Sequence, residues 1–167
     1  QGLPPAGDVR DIRFEFPELP ISVNKLYFVH KGRKVLSGAG RAYKTRFITT
    51  CGGADPAEFA ALEVDPESCY QLHLWFYIPY EDLYNFRYGR DKRVKSPFAD
   101  MDVSNLVKLA EDCISDLVGI RDRNNFTVCA HKREGHPSLV AWLSPLDLLE
   151  DPFNESRVLG EASTGPG

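Results

Sequence analysis

The chain has 167 residues, 43% of them apolar and 26% charged, with a net charge of −4. That size and balance describe one folded domain with a real core and exclude a disordered, collagenous or disulfide-stapled chain. No apolar run approaches the roughly 20 residues of a membrane span, and no secretory leader is legible at the start. The cysteines Cys51, Cys69, Cys113 and Cys129 lie far apart without a C-x-x-C pair. They read as reduced thiols of a cytoplasmic protein.

Taken in chain order, Ile12 to Phe16 alternates apolar and charged residues and predicts a strand, closed by Pro17 and Pro20. Leu26 to Val29 and Arg33 to Leu36, joined through Lys31-Gly32, predict a hairpin. Ser37 can cap a helix from about Ala39 to Thr50 that ends at Cys51-Gly52-Gly53. Pro56 to Leu62 suggests a short helix. Tyr70 to Ile78, rich in aromatic and apolar residues, predicts the central strand, with His73 a core histidine inside it. Tyr80 to Ala99 reads as a long polar, basic and aromatic loop, a length that compact domains keep for a purpose. Val103 to Val118 is the clearest helix. Phe126 to Lys132 and Leu139 to Leu143 predict a strand pair joined through Glu134-Gly135-His136-Pro137. The expected fold class is α/β (α+β): a single domain over residues 1–143, with a mixed sheet of about four to six strands against two main helices. Residues 144–167 read as an acidic, flexible tail.

Charge is segregated along the chain. From Leu19 to Ala54 there is no Asp or Glu, while Lys25, Lys31, Arg33, Lys34, Arg41, Lys44 and Arg46 fall in that stretch. Arg87, Arg90, Lys92, Arg93 and Lys95 face a single acid, Asp91. Such clustering predicts one basic face for a polyanion, although clustering in sequence need not survive folding.

At about 100° per residue, Val103, Leu106, Val107, Ala110, Cys113, Ile114, Leu117 and Val118 fall on one half of the long helix. Asn105, Lys108, Glu111, Asp112, Ser115 and Asp116 fall on the other. Asp102 stands at the helix start, where the dipole favours its ionised form, with Asp100 two residues before it, and Asp122 follows the helix end at Gly119. Carboxylates supply the hard oxygen ligands of Mg²⁺, and a lysine faces the charge that develops on phosphate. Acids lining a wet helix face give the same pattern with no function. Cys129, His131 and His136 offer no fourth ligand for a zinc site.

Three segments together resemble the RusA-type Holliday junction resolvases. Pro20-Ile21-Ser22-Val23-Asn24-Lys25-Leu26-Tyr27 is close to a P-P-S-x-N-x-x-Y opening. It continues through Gly32-Arg33-Lys34-Val35-Leu36-Ser37 and Ala42-Tyr43-Lys44. Asp102-Val103-Ser104-Asn105-Leu106-Val107-Lys108 with Glu111-Asp112 is similar to D-x-[DS]-N-L-x-K-x-x-x-D. Gly119-Ile120-Arg121-Asp122-Arg123 is similar to a G-[IF]-x-D-D turn.

The resemblance implies a homodimer, in the cytoplasm of a bacterium or phage-infected cell, that binds a four-way DNA junction and makes paired nicks with Mg²⁺ or Mn²⁺. It implies Asp102, Lys108 and Asp122 as catalytic residues. Asp102 and Asp122 would be metal ligands, with Asp100 or Asp112 as further ligands, and Asn105 would orient the carboxylates. DNA contacts are expected from Asn24, Lys25, Lys31, Arg33, Lys34, Lys44, Arg87, Arg90, Lys92, Arg93 and Lys95. Tyr84, Phe86 and Tyr88 are candidates to stack on unpaired bases, or equally to pack their loop on the domain.

The match has two departures. Ser104 stands where the strongest motifs carry a second acid, which Asp100 could replace. Arg121 stands at the first acid of the D-D pair, and an alternative register puts Arg123 at the catalytic position. A junction-binding protein with reduced or lost cleavage is therefore the alternative expectation, and a protein-interaction module using the acidic tail is a third.

Overall fold

The computed structural model describes residues 11–52 and 65–146. The expected helix at Pro56 to Leu62 and the tail from residue 147 lie outside the described residues. Chain order is β1 (Ile12–Phe16), α1 (Val23–Leu26), β2 (Tyr27–His30), β3 (Arg33–Leu36), α2 (Gly38–Cys51), β4 (Tyr70–Ile78), α3 (Tyr80–Leu83), α4 (Ser104–Val118), a 3-10 turn (Asp122–Asn124), β5 (Asn125–Glu134) and β6 (Ser138–Pro145). One mixed sheet has the order β1-β6-β4-β5, and β2 and β3 form a separate hairpin. This is a single-domain α+β fold with a mixed sheet, as the sequence predicts.

Apolar alternation decides which face of the sheet the helices cover. Ile12, Phe14 and Phe16 of β1 join Leu72, Leu74 and Phe76 of β4 and Leu139, Ala141 and Leu143 of β6 in one core. Tyr43 and Phe47 of α2 close on that face, with the Phe16 ring 5.2 Å from Tyr43 and 5.3 Å from Phe47. From α4 come Leu106, Leu109, Ala110, Cys113 and Ile114, all buried. Each fully buried large apolar side chain contributes about 1.5–3 kcal/mol, so this stripe fixes the helix on the sheet.

The wheel is less clean than its sequence pattern. Ser115, assigned to the wet half, is buried, because that side of α4 packs on the start of β5. The Asn125 amide reaches Glu111 Oε1 at 3.0 Å and Ser115 Oγ at 3.4 Å.

The strands at the C-terminal end pair differently from the expected hairpin. β6 pairs antiparallel with β4, and β5 pairs parallel with the opposite edge of β4. β4 thus lies between the two strands that the sequence suggested would meet. β4 buries residues on both faces and has backbone groups to satisfy on both edges, which a β5–β6 hairpin would leave open on one side. Crossing two strand spacings requires about 10 Å. The residues 135–137 supply enough chain, since four Cα steps reach about 13 Å. Gly135 makes the crossing close: its N–H donates to Ile78 O at 3.0 Å, and an added Cβ would lie 3.0 Å from Tyr77 Cδ1. The parallel β4–β5 pair needs a long crossover, and the segment containing α4 supplies it.

Other differences are local. β6 continues through Pro145, two residues past the expected strand end and domain boundary at Leu143, because β4 still offers a partner at Tyr70. The segment from Tyr80 to Ala99 contains α3 and is pinched at its neck by a Tyr84–Phe98 bridge. His73 lies on the sheet face opposite the helices, half-buried, its ring stacked 3.8 Å from Trp142. Among the described residues, no helix is long and apolar enough to cross a membrane.

Candidate active site

The site is built where α4, the turn after it and the base of the hairpin meet. Gly119 ends α4 with φ +86°, and the N–H groups of Gly119 and Ile120 both donate to Ser115 O. Glycine reaches this left-handed conformation without a Cβ clash. The chain then folds back through the 3-10 turn. The buried Asn124 side chain locks it, with Oδ1 accepting from Arg121 N at 3.0 Å and Nδ2 donating to Pro66 O and Ser68 O at 2.8 and 2.9 Å.

Those two constraints return Asp122 to the helix. Lys108 Nζ lies 2.8 Å from Asp112 Oδ1 and 2.8 Å from Asp122 Oδ2. Burial alone would lower the Lys108 pKa, but the hydrogen bonds to Asp112 and Asp122 outweigh it and hold the ammonium charged. The Tyr27 hydroxyl donates to Asp112 Oδ2 at 3.5 Å, a long contact. Burial, then the Asp112 charge, raises the Tyr27 pKa. Lys34 sits 4.5 Å over the Tyr27 ring, so β2 and β3 bring positive charge to the edge of the cluster.

Glu111 joins the site although its place in the sequence does not single it out. Burial raises its pKa, opposed by the Asn125 hydrogen bond, with further upward pressure from Asp122 and Asp112. Its i,i+1 spacing from Asp112 was visible in the sequence, but the Asn125 contact that makes it half-buried was not. Tyr27 had a visible signal in the opening segment, and Asn124 had none beyond its place in a turn.

The remaining site candidates separate into three groups. Asp100 and Asp102 are exposed at the approach to α4. The adjoining Met101 O accepts from Lys132 Nζ at 2.7 Å, which ties that approach to β5. The carboxylates of Asp100 and Asp102 make no hydrogen bond or ion pair among the described residues, and neither does the Asn105 side chain that was expected to orient carboxylates. Lys44 is ion-paired with Asp116 across α2 and α4, which removes it from the free cations. Lys25 of α1 and the hairpin cations Lys31, Arg33 and Lys34 are exposed, as is Asn24. In the loop, Asp91 takes Arg93 at 3.0 Å and lies 3.8 Å from Arg87, while Arg90, Lys92 and Lys95 project into solvent.

Chemically, the cluster is a pair of carboxylates converging on one cation. Among the described residues, no group of three or more His, Cys, Asp or Glu side chains converges on a point that could hold a metal ion. Two carboxylates nevertheless suit Mg²⁺, which commonly takes only one or two protein carboxylates and completes its shell with water and phosphate oxygens. Asp112 and Asp122 already share a cation at hydrogen-bond distance. The Lys108–Asp122 pair is solvent-facing, with side chains 41% and 50% exposed. A pair of that exposure is worth at most about 1 kcal/mol, so Lys108 can exchange a carboxylate for a phosphate at little cost to the fold.

No family model matches the chain, and no curated protein is significantly similar to it.

Proposed function

We propose that the chain is a RusA-type, Mg²⁺-dependent endonuclease that nicks branched DNA, with the four-way junction as its substrate. The observation that carries this reading is Lys108 Nζ held 2.8 Å from both Asp112 and Asp122, flanked by exposed hairpin cations. Asp112 and Asp122 would hold the metal, with water and phosphate oxygens filling its other positions. The bound ion would lower the pKa of a coordinated water and neutralise phosphate charge. Lys108 binds the non-bridging oxygens of the phosphate and stabilises the added charge as water oxygen attacks phosphorus and the P–O bond to one deoxyribose breaks, the departing oxygen taking a proton from solvent. Tyr27 holds Asp112 in place, and Asn124 holds the turn that carries Asp122. Lys25, Lys31, Arg33 and Lys34 contact backbone phosphates without reading sequence. Paired nicks require two sites, which a two-fold homodimer provides. The compartment would be the cytoplasm.

A second reading is a junction-binding protein of this fold that does not cleave. It is favoured by the absence, among the described residues, of a third acid converging with Asp112 and Asp122 and by Ser104 at a motif acid position.

The deciding experiment is single-turnover incubation with a synthetic four-way junction in Mg²⁺, then Mn²⁺, alongside Asp122→Asn. Metal-dependent symmetric nicks that disappear in the variant while junction binding persists support the nuclease. Tight binding without nicks in either metal supports the second reading. Affinity for the junction no better than for linear duplex sinks both.

A further inference from the structure

We propose that the segment from Tyr84 to Phe98 is a stacking finger for unpaired nucleotides, gripping bases with exposed rings and phosphates with Arg90, Lys92 and Lys95. It deepens the nucleic-acid reading of the site by naming the form of the polynucleotide, and it does not depend on cleavage.

The finger is ordered by its own backbone. Its neck is closed by the Tyr84–Phe98 bridge, by Asn85 N donating to Pro97 O at 2.8 Å, and by Ala99 N donating to Leu83 O at 2.9 Å. Further along, Tyr88 N donates to Asn85 O, Asp91 N to Arg87 O and Val94 N to Asp91 O, at 2.8–3.0 Å. The Asp91 carboxylate accepts from Arg93 N, Nε and Nη2 at 3.0–3.1 Å. The segment therefore holds its shape with Tyr84 half-buried against the core and without burying Phe86, Tyr88 or Phe98. Phe86, Tyr88 and Phe98 are 55%, 50% and 61% exposed. Leaving rings this large in water forgoes much of the burial energy available to them.

Ring geometry separates this cluster from the other aromatic group. On the outer sheet face, His131, Trp75, His73 and Trp142 stack at 3.8–6.1 Å with interplanar angles of 12–30°. Their faces are occupied by one another. In the finger and the α3 residue beside it, Tyr80, Tyr84, Phe86 and Phe98 contact at 41–50°, and these tilted contacts leave ring faces open.

Charge identifies the occupant. Five cations face the single acid Asp91 across this segment, and Asp91 is committed to Arg93 and Arg87. Arg90, Lys92 and Lys95 are left for a polyanion. Rings interleaved with cations, as in Phe86-Arg87-Tyr88-Gly89-Arg90, match a strand that alternates bases with phosphates. A duplex is the poorer partner because its base faces are stacked inside. Phe98 lies just before Asp100 and Asp102 at the approach to α4, so a strand held by the finger runs toward the acids.

The test measures binding of the full chain to labelled oligothymidine, to a duplex of equal length and to a poly-glutamate peptide, in EDTA so that cleavage cannot contribute. Oligothymidine is expected to bind more tightly than duplex. Phe86→Ala and Phe98→Ala should each weaken oligothymidine binding roughly tenfold and leave duplex binding unchanged. The Arg90→Glu, Lys92→Glu variant should weaken both nucleic acids and flatten their salt dependence. As a readout that keeps an aromatic ring, Phe86→Trp should show quenching of the introduced indole on adding oligothymidine. Equal affinity for duplex and single strand, ring variants that weaken both alike, no quenching in the Phe86→Trp variant, or poly-glutamate competing as well as oligothymidine would overturn the proposal. Ring-dependent single-strand binding, with no nicking of the junction once Mg²⁺ or Mn²⁺ replaces EDTA, would remove the nuclease reading and keep the finger. Nicking with no ring dependence would do the reverse.

Discussion

Asp122 follows Lys108 by 14 residues, yet its Oδ2 lies 2.8 Å from the lysine Nζ. Gly119 ends the helix and Asn124 fixes the turn, so the carboxylate comes back beside the turn of α4 that carries Lys108 and Asp112. The lysine is poised between two acids on a solvent-facing surface, a place where an ion pair adds little stability. Replacing it separates a role in folding from a role in phosphate chemistry. Lys108→Met should shift the unfolding midpoint by no more than an exposed pair allows, while lowering the nicking rate by about 10²–10³. Single-turnover nicking and urea denaturation measure the two effects, and a variant that nicks at the wild-type rate removes Lys108 from the mechanism.

Asn124 makes three hydrogen bonds from a buried side chain, all to backbone. Asn124→Leu should cost about 1–3 kcal/mol, because backbone groups of Arg121, Pro66 and Ser68 lose their partner in a desolvated place. Nicking should fall as well, since the turn carrying Asp122 is released from the segment before β4. Chemical denaturation checks the first claim. A variant of unchanged stability would show that the turn is held by other contacts.

Gly40 is the point where α2 meets the base of the hairpin. A Cβ there would come within 2.8 Å of Leu26 Cδ1 and 2.9 Å of Leu36 Cδ1, and Leu26 is fully buried. Gly40→Ala should therefore destabilise by about 1–3 kcal/mol through overpacking, despite the better helix propensity of alanine. Displacing the hairpin should also weaken junction binding. Thermal unfolding with and without junction DNA tests both, and a stabilised variant would mean that the two leucines move aside freely.

His73 stacks on Trp142 at 3.8 Å. Burial first, and then the nearby His131, lower its pKa from the ordinary value near 6.5. The folded state thus favours the neutral ring. Stability from this group is present above the unfolded pKa and is lost as pH falls through the folded one. Protonation beneath an indole should also quench its emission. A tryptophan fluorescence titration should contain a component with a midpoint below 6.5 that vanishes in His73→Phe. A midpoint at or above that ordinary value would contradict the burial argument.

Much of the fold was legible because its signals are local. Ile12–Phe16 alternates, Lys31-Gly32 supplies a turn with φ values of +49° and +74°, and Ser37 accepts from Gly40 N at 3.0 Å as an N-cap should. Tyr70–Ile78 and the long helix follow from apolar density and period. The candidate site was half legible in the same way: Lys108 and Asp112 are neighbours on any helix at i,i+4.

What the sequence left open was every relation that depends on which elements become neighbours. Proximity along the chain favoured a β5–β6 hairpin, whereas β4 took the place between them because its two edges both needed partners. Tertiary packing alone brought Asp122 to Lys108, committed Lys44 to Asp116, made Glu111 half-buried against Asn125 and put His73 on the outer face. Local pattern is set by torsion and by the side-chain period within one segment, and the chain carries that information residue by residue. Pairing between segments is set by the burial and backbone satisfaction of the whole sheet, which no single stretch of sequence contains.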